Sequence, residues 1–427
     1  MKKSLLAIVV VLSWGVAAWS PAGESARPRV RRSVAVKQAE ERAPYDSLFQ
    51  VYVPTFADAI VSKVKEAAQQ DVSNRRPGES DEDFAIRKQF VEGVAASITR
   101  GVKELENVSL GWRLDKQDKR TYFDLTVTAL KGTSAAQELA QLSELKTAFR
   151  GFTAPDAVVT AHWTGQTPKH KTEVAVKLIQ ALRDKELKKI DNSPASADEI
   201  TTRKDLLNKL LDVIRDSAAS GHSDGGVSLV IQPNDITLVA GGYVADGTKL
   251  EGVVKPIATW LQQSHPLFAG LKLDVEKVEG VNFHALSIPA PQGNDREKFV
   301  QLFGESLEVV VGFGPEAVYL SAGKQATKSL KDAIQKSAKP AKVTAPFELS
   351  VALKPLADFV SVMGKEQEKG PALLVAGVLA QAPGKDHLRV VAQPIERGVI
   401  LRLDAEEGIL QLLGAANPEV QAFLLGK

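Results

Sequence analysis

Val227-Ser228-Leu229-Val230-Ile231-Gln232 and Ile236-Thr237-Leu238-Val239-Ala240-Gly241-Gly242-Tyr243-Val244 are two apolar stretches separated by Pro233-Asn234-Asp235. Proline presets the turn angle, and Asn and Asp bond back to their own backbone, so the spacing predicts an antiparallel hairpin. Upstream lie two helical patterns. The first runs from Thr172 to Ile190 and breaks at Asp191-Asn192-Ser193-Pro194. The second opens on Ser196 with Glu199, the spacing of a capping box, and carries Ile200, Leu207, Leu210, Leu211 and Ile214 on one face. Ala157 to Trp163 reads as a strand before them, and Gly247-Thr248 as the cap of a helix after the hairpin. The unit is therefore strand, two helices, hairpin, helix.

The same course recurs. Over 46–150, Leu48 to Val53 is a strand, and Phe56, Ile60, Val64 and Ala67 form a helical stripe. Ser80 with Asp83 starts a second helix, whose inner face holds Phe84, Val91, Ala95, Ile98, Val102 and Leu105. A hairpin follows with Leu125 and Val127 facing inward, then Thr133 as a cap. Two shorter units follow in 265–427. In the last, Phe347 to Ala352 leads into Pro355, Ala357 and Asp358, as Phe49 to Val53 leads into Pro54, Ala57 and Asp58. Hairpins interleaved with amphipathic helices predict an α+β fold, mostly antiparallel sheet with helices packed on one face. Two domains are expected: 46–264, with related units 46–150 and 155–264, and 265–427, meeting near Gln262 to Ala269.

The N-terminus carries an address. Lys2 and Lys3 precede the apolar run Leu5 to Trp14, and Val16-Ala17-Ala18 supplies small residues for cleavage, so residues 1–18 read as a signal peptide. The mature chain is expected outside the cytoplasm, periplasmic or secreted. Arg27, Arg29, Arg31, Arg32 and Lys37 make residues 19–45 a basic linker, expected to be disordered and able to contact an anionic surface through residues 27–37. No other run approaches membrane-spanning length; Pro371 to Ala382, about a dozen residues, reads as a buried helix. With no cysteine in 427 residues, disulfides, thiolate nucleophiles and Cys-based metal sites are excluded. The 54 basic and 52 acidic residues are mixed throughout, which argues against nucleic acid as a partner.

Chemical motifs dissolve on inspection. Gly312-Phe313-Gly314-Pro315-Glu316-Ala317 follows a strand but leads into another strand, so its glycines make a turn rather than a nucleotide cradle. His222-Ser223-Asp224, among Gly221, Gly225 and Gly226, reads as a flexible connection. His284 and Ser287 fall on opposite faces of a strand. Asp81-Glu82-Asp83, and Asp404 with Glu406 and Glu407, read as helix starts, and Lys185, Lys188 and Lys189 as a helix end. Trp112, Trp163 and Trp260 are expected in the core. No catalytic, cofactor-binding or metal-binding residue is assigned.

A short signal, a basic linker and repeated β/α units rich in Ala, Val and Leu resemble exported proteins of environmental, planctomycete-like bacteria. That resemblance implies no activity and no site residue. The expected function is a non-catalytic binding or envelope-structural protein of unknown ligand. The alternatives are a carrier of an apolar ligand in a cavity between sheet and helices, and a hydrolase whose site is assembled from scattered residues. An apolar cleft favours the carrier, a convergence of His, carboxylate and hydroxyl the enzyme, and a filled core the first reading.

Overall fold

The computed structural model describes residues 45–416, apart from Pro340 and Thr344. The expected signal peptide, the basic segment 27–37 and the linker before Tyr45 lie outside the described residues. The first unit contains β1 (Ser47–Tyr52), α1 (Ala57–Ser73), α2 (Asp81–Glu104), β2 (Leu105–Asp115), β3 (Arg120–Ala129) and α3 (Ser134–Gln141). The second contains β4 (Val159–Gln166), α4 (Lys169–Asp191), α5 (Ala197–Ser220), β5 (His222–Gln232), β6 (Asp235–Tyr243) and α6 (Gly247–Ser264). The third runs β7 (Leu271–Val278), β8 (Val281–Pro289), α7 (Arg296–Phe303), β9 (Ser306–Gly314), β10 (Ala317–Gly323) and α8 (Ala326–Lys336). The fourth is β11 (Phe347–Ala352), α9 (Leu353–Met363), α10 (Glu366–Leu379), β12 (His387–Ile395), β13 (Gly398–Ala405) and α11 (Glu407–Ala416). The α+β class is as the patterning required.

These thirteen strands join one antiparallel sheet, in the order β1-β2-β3-β13-β12-β11-β4-β5-β6-β10-β9-β8-β7, and the short strands Lys146–Thr147 and Ala341–Lys342 pair separately. Three units lay down three strands in the same way: the first strand pairs with the near arm of the hairpin, and the far arm ends the unit. The units then meet back to back, β3 on β13 and β6 on β10, and front to front, β11 on β4. The sheet is continuous across the boundary expected at 264/265. Pairing of β6 with β10 and of β4 with β11 stitches the two segments into one layer.

Helices cover parts of both faces, where one covered face was expected. On one face α8 and the Phe149–Phe152 turn pack on Val239, Phe283 and Val310. Phe152, Phe283 and Leu330 are fully buried there, each contributing roughly 2–3 kcal/mol of apolar burial. On the other face Leu250 of α6 and Val213 of α5 pack on Phe313 and Val244. A third cluster, Leu379, Ala405 and Ile409, joins α10 and α11 to the end of β13.

Several local expectations are corrected. His222 to Gly226 is the first half of β5, paired with β4, not a flexible connection. Glycine is needed at 225 and 226 because a Cβ would meet the Trp163 ring at 2.4 Å and Phe152 at 2.9 Å. The cap of α6 is Asp246, whose carboxylate accepts from the Lys249 amide at 2.7 Å, not Thr248. Its charge suits the positive helix end better than a hydroxyl does, and starts the helix two residues earlier than a Thr248 cap would. Inward and outward are exchanged on β3: Tyr122 and Asp124 are buried, while Leu125 and Val127 are only half-buried. Asp404 lies in β13 rather than at a helix start. Pro371 to Ala382 is not buried throughout. Ala372, Ala376 and Leu379 are covered, but Leu373 and Leu374 are exposed, since a run that is apolar all round does not say which side is packed. Trp260 is half exposed.

Candidate binding face

Cross-strand register builds the site. Side chains directly opposite each other in a sheet share a face. Trp112 stands opposite Phe123, Phe123 opposite Leu403, and Leu403 opposite Val390. The row continues through Leu349, Ala161, Val227, Ala240 and Leu320 to Val311. A parallel row starts at Phe49 and passes through Leu110, Leu125 and Leu401 to Ala392 and Phe347. This face is apolar across ten strands, the usual mark of a covered layer.

Much of it is uncovered. Phe49, Leu110, Phe123, Leu401, Leu403 and Leu320 keep between 37% and 61% of their surface accessible. Among the described residues, cover comes at the margins, from α5 and α6 over Val311, Phe313 and Val318 and from the α9–α11 cluster over Leu388 and Ala405. On the opposite face, β6 and β9 carry the Val239 and Val310 core described above, while β3 and β13 carry a buried ion pair. Asp124 is wholly buried under a two-pronged pair with Arg402 (2.8 Å to each oxygen) and a hydrogen bond from the Tyr45 hydroxyl at 2.8 Å. Burial and that bond push the Tyr45 hydroxyl pKa up to about 12.

Four more helices form a layer with α6. Arg87 of α2 pairs with Asp71 of α1. Lys185 and Lys188 of α4 pair with Asp83 and Glu82 of α2. Arg183 of α4 and Lys249 of α6 share Asp212 of α5. The seams thus run α1-α2-α4-α5-α6, and the charges expected only to cap helix ends also hold neighbours together. Of the expected inner stripes, Phe56 and Ile60 on the first helix and Ile98 on the second are exposed, while Phe84, Val91, Ala95 and Val102 are half-buried. Phe90 and Val94, outside the expected stripe at four-residue steps before Ile98, are exposed too. One end of the layer joins the edge strand β1 through the turn Val53–Thr55; the other packs on β9 and β10.

Titratable clusters lie elsewhere among the described residues. Glu251, Asp274 and His284 bring one ligand-type atom each within 4.8 Å of one another. However, Lys255 Nζ sits 2.6 Å from Glu251 and 2.7 Å from Asp274, already supplying the cation. His284 Nδ1 accepts the Asp274 amide at 3.0 Å, so the neutral ring's proton is on Nε2, the nitrogen that faces Glu251 Oε1 at 3.2 Å. Burial lowers the His284 pKa despite the two carboxylates. A protonated Nε2 has no lone pair for a metal. His387 pairs through Nδ1 with Glu406 at 3.1 Å, and Arg389 takes the other Glu406 oxygen. A cleft of about 690 Å³ lies between the β2–β3 turn and α10–α11, with Leu114, Leu410, Lys119 and Glu407 among its lining. Lys119 and Glu407 pair across it at 2.9 Å.

No protein-family model, curated protein or solved structure matches this chain. Among the described residues, no helix is long and apolar enough to cross a membrane.

Proposed function

We propose that this is an exported, non-catalytic binding protein that holds an elongated apolar ligand against the open face of its sheet. The observation that carries the reading is the accessible apolar surface from Phe49 to Leu320, contiguous by register and much larger than scattered surface residues would make. Water against so many Leu and Phe side chains is unfavourable, and covering them with hydrocarbon recovers roughly 25 cal/mol per Å². The helical layer supports the same reading. Five helices at about 9–10 Å spacing span about 40 Å. That is close to the ~48 Å of ten strand spacings separating β1 from β9. The layer is tied to the sheet near both of those places, and its exposed Phe90, Val94 and Ile98 add apolar surface for the same ligand. Export follows from residues 1–18, and the common course of three units supports descent from one duplicated segment.

Native mass spectrometry of protein purified from its own envelope tests the proposal. The expected spectrum shows added mass that is lost on extraction with organic solvent. Protein that carries no apolar adduct from its own envelope, and takes none up when offered, speaks for a purely structural role.

A further inference from the structure

The two edges of the sheet are built differently. At one edge, β7 is interrupted by a bulge between Lys272 and Glu276, with Asp274 in the left-handed region at φ 53°. It also exposes Lys272, Asp274, Glu276 and Lys277. A bulge and a row of charges are the usual guards against a further strand. At the other edge, β1 pairs with β2 in unbroken register from Ser47 to Tyr52 and carries neither charge nor proline. Leu48, Phe49 and Tyr52 are all more than half exposed.

We propose that β1 is a dimerisation edge, on which a second copy of this chain adds its own β1 antiparallel about a two-fold axis at Gln50. A two-fold contact places each surface against itself, so a charged edge would meet like charge, whereas an uncharged one does not. With Gln50 on the axis, Phe49 lies opposite Val51 of the partner subunit on the apolar face. Leu48 lies opposite Tyr52 of the partner subunit on the other face, so apolar meets apolar on both sides. One open and one guarded edge also fix the stoichiometry: pairing stops at two copies instead of running on as a fibre. The dimer would join two apolar faces into one surface, but this edge pairing does not depend on what that face binds.

The chain has no cysteine, so one introduced thiol reports the axis directly. Paired residues across an antiparallel ladder lie about 4.5–5.5 Å apart at Cα, within disulfide range. Full-length Gln50→Cys is expected to give a disulfide-linked dimer under mild oxidation, and Lys272→Cys at the guarded edge is not. Light scattering should give twice the chain mass for the unmodified protein and the single chain mass for folded Phe49→Lys. A single chain mass at every concentration with no Gln50→Cys cross-link overturns the proposal. So does equal cross-linking at Lys272→Cys. Slow amide exchange in β1 of a monomer would show instead that another part of the chain covers the edge.

Discussion

Thr133 and Asp246 do the same work before α3 and α6, the helices that close the first two units. Thr133 Oγ1 accepts from the Ala136 amide at 3.3 Å, and Asp246 from Lys249 at 2.7 Å. Thr133→Ala and Asp246→Ala should each lower unfolding stability by about 1 kcal/mol, while Thr248→Ala should change it by much less. Denaturant titration of the three variants decides this; equal loss at Thr248 would put the cap where the sequence alone placed it. Gly111 has a comparable local reason. A Cβ there would strike the Tyr45 ring at 2.6 Å, so only glycine lets the tyrosine lie on β2 and reach Asp124. Residue-level signals of this kind are partly legible. Ser196 and Glu199 form the reciprocal box their spacing announces. The glycines at 225 and 226 mislead, because the side chains that require them come from Trp163 and Phe152, distant in sequence.

Among the elements, the corner between α1 and α2 shows how charge sets geometry. Arg87 reaches Glu79 through two nitrogens, at 2.8 and 2.7 Å, and Asp71 at 3.2 Å. The Arg87 guanidinium, helped by the Arg76 amide, holds the Glu79 carboxyl down at about 2. Its folded pKa lies below the unfolded value of about 4.3, so the stability it contributes is present above that value and is lost as pH falls toward 2. Glu79→Gln should therefore unfold more easily than the unmodified protein at neutral pH. The two curves should converge below about pH 2–3. A constant difference at all pH values would mean that the side chain's shape, not its charge, holds the corner. Strands, hairpin turns and helix boundaries were legible because each follows from a local period or turn residue. The order of strands was not. The pairing of β3 with β13, 278 residues apart from Asp124 to Arg402, leaves no local trace. Nor was the exposure of Phe56, Ile60 and Ile98 legible, because a stripe's pattern is the same whether protein or ligand covers it.

Across the described residues, a sheet of thirteen strands carries an apolar face that its helices cover at the margins, beside a helical layer that leaves Phe56, Ile60, Phe90, Val94 and Ile98 exposed. Both features are costly in water unless something apolar completes them. The account therefore stands or falls on binding at that face. Its most direct test is titration of the purified, delipidated protein with a fluorescent long-chain fatty acid, comparing Leu401→Asp in the middle of the face with Ser109→Asp on the opposite face. Saturable binding to the unmodified protein is expected, weakened at least about tenfold (~1.4 kcal/mol) by Leu401→Asp and unchanged by Ser109→Asp. Absence of saturable binding, or equal loss in both variants, would contradict it.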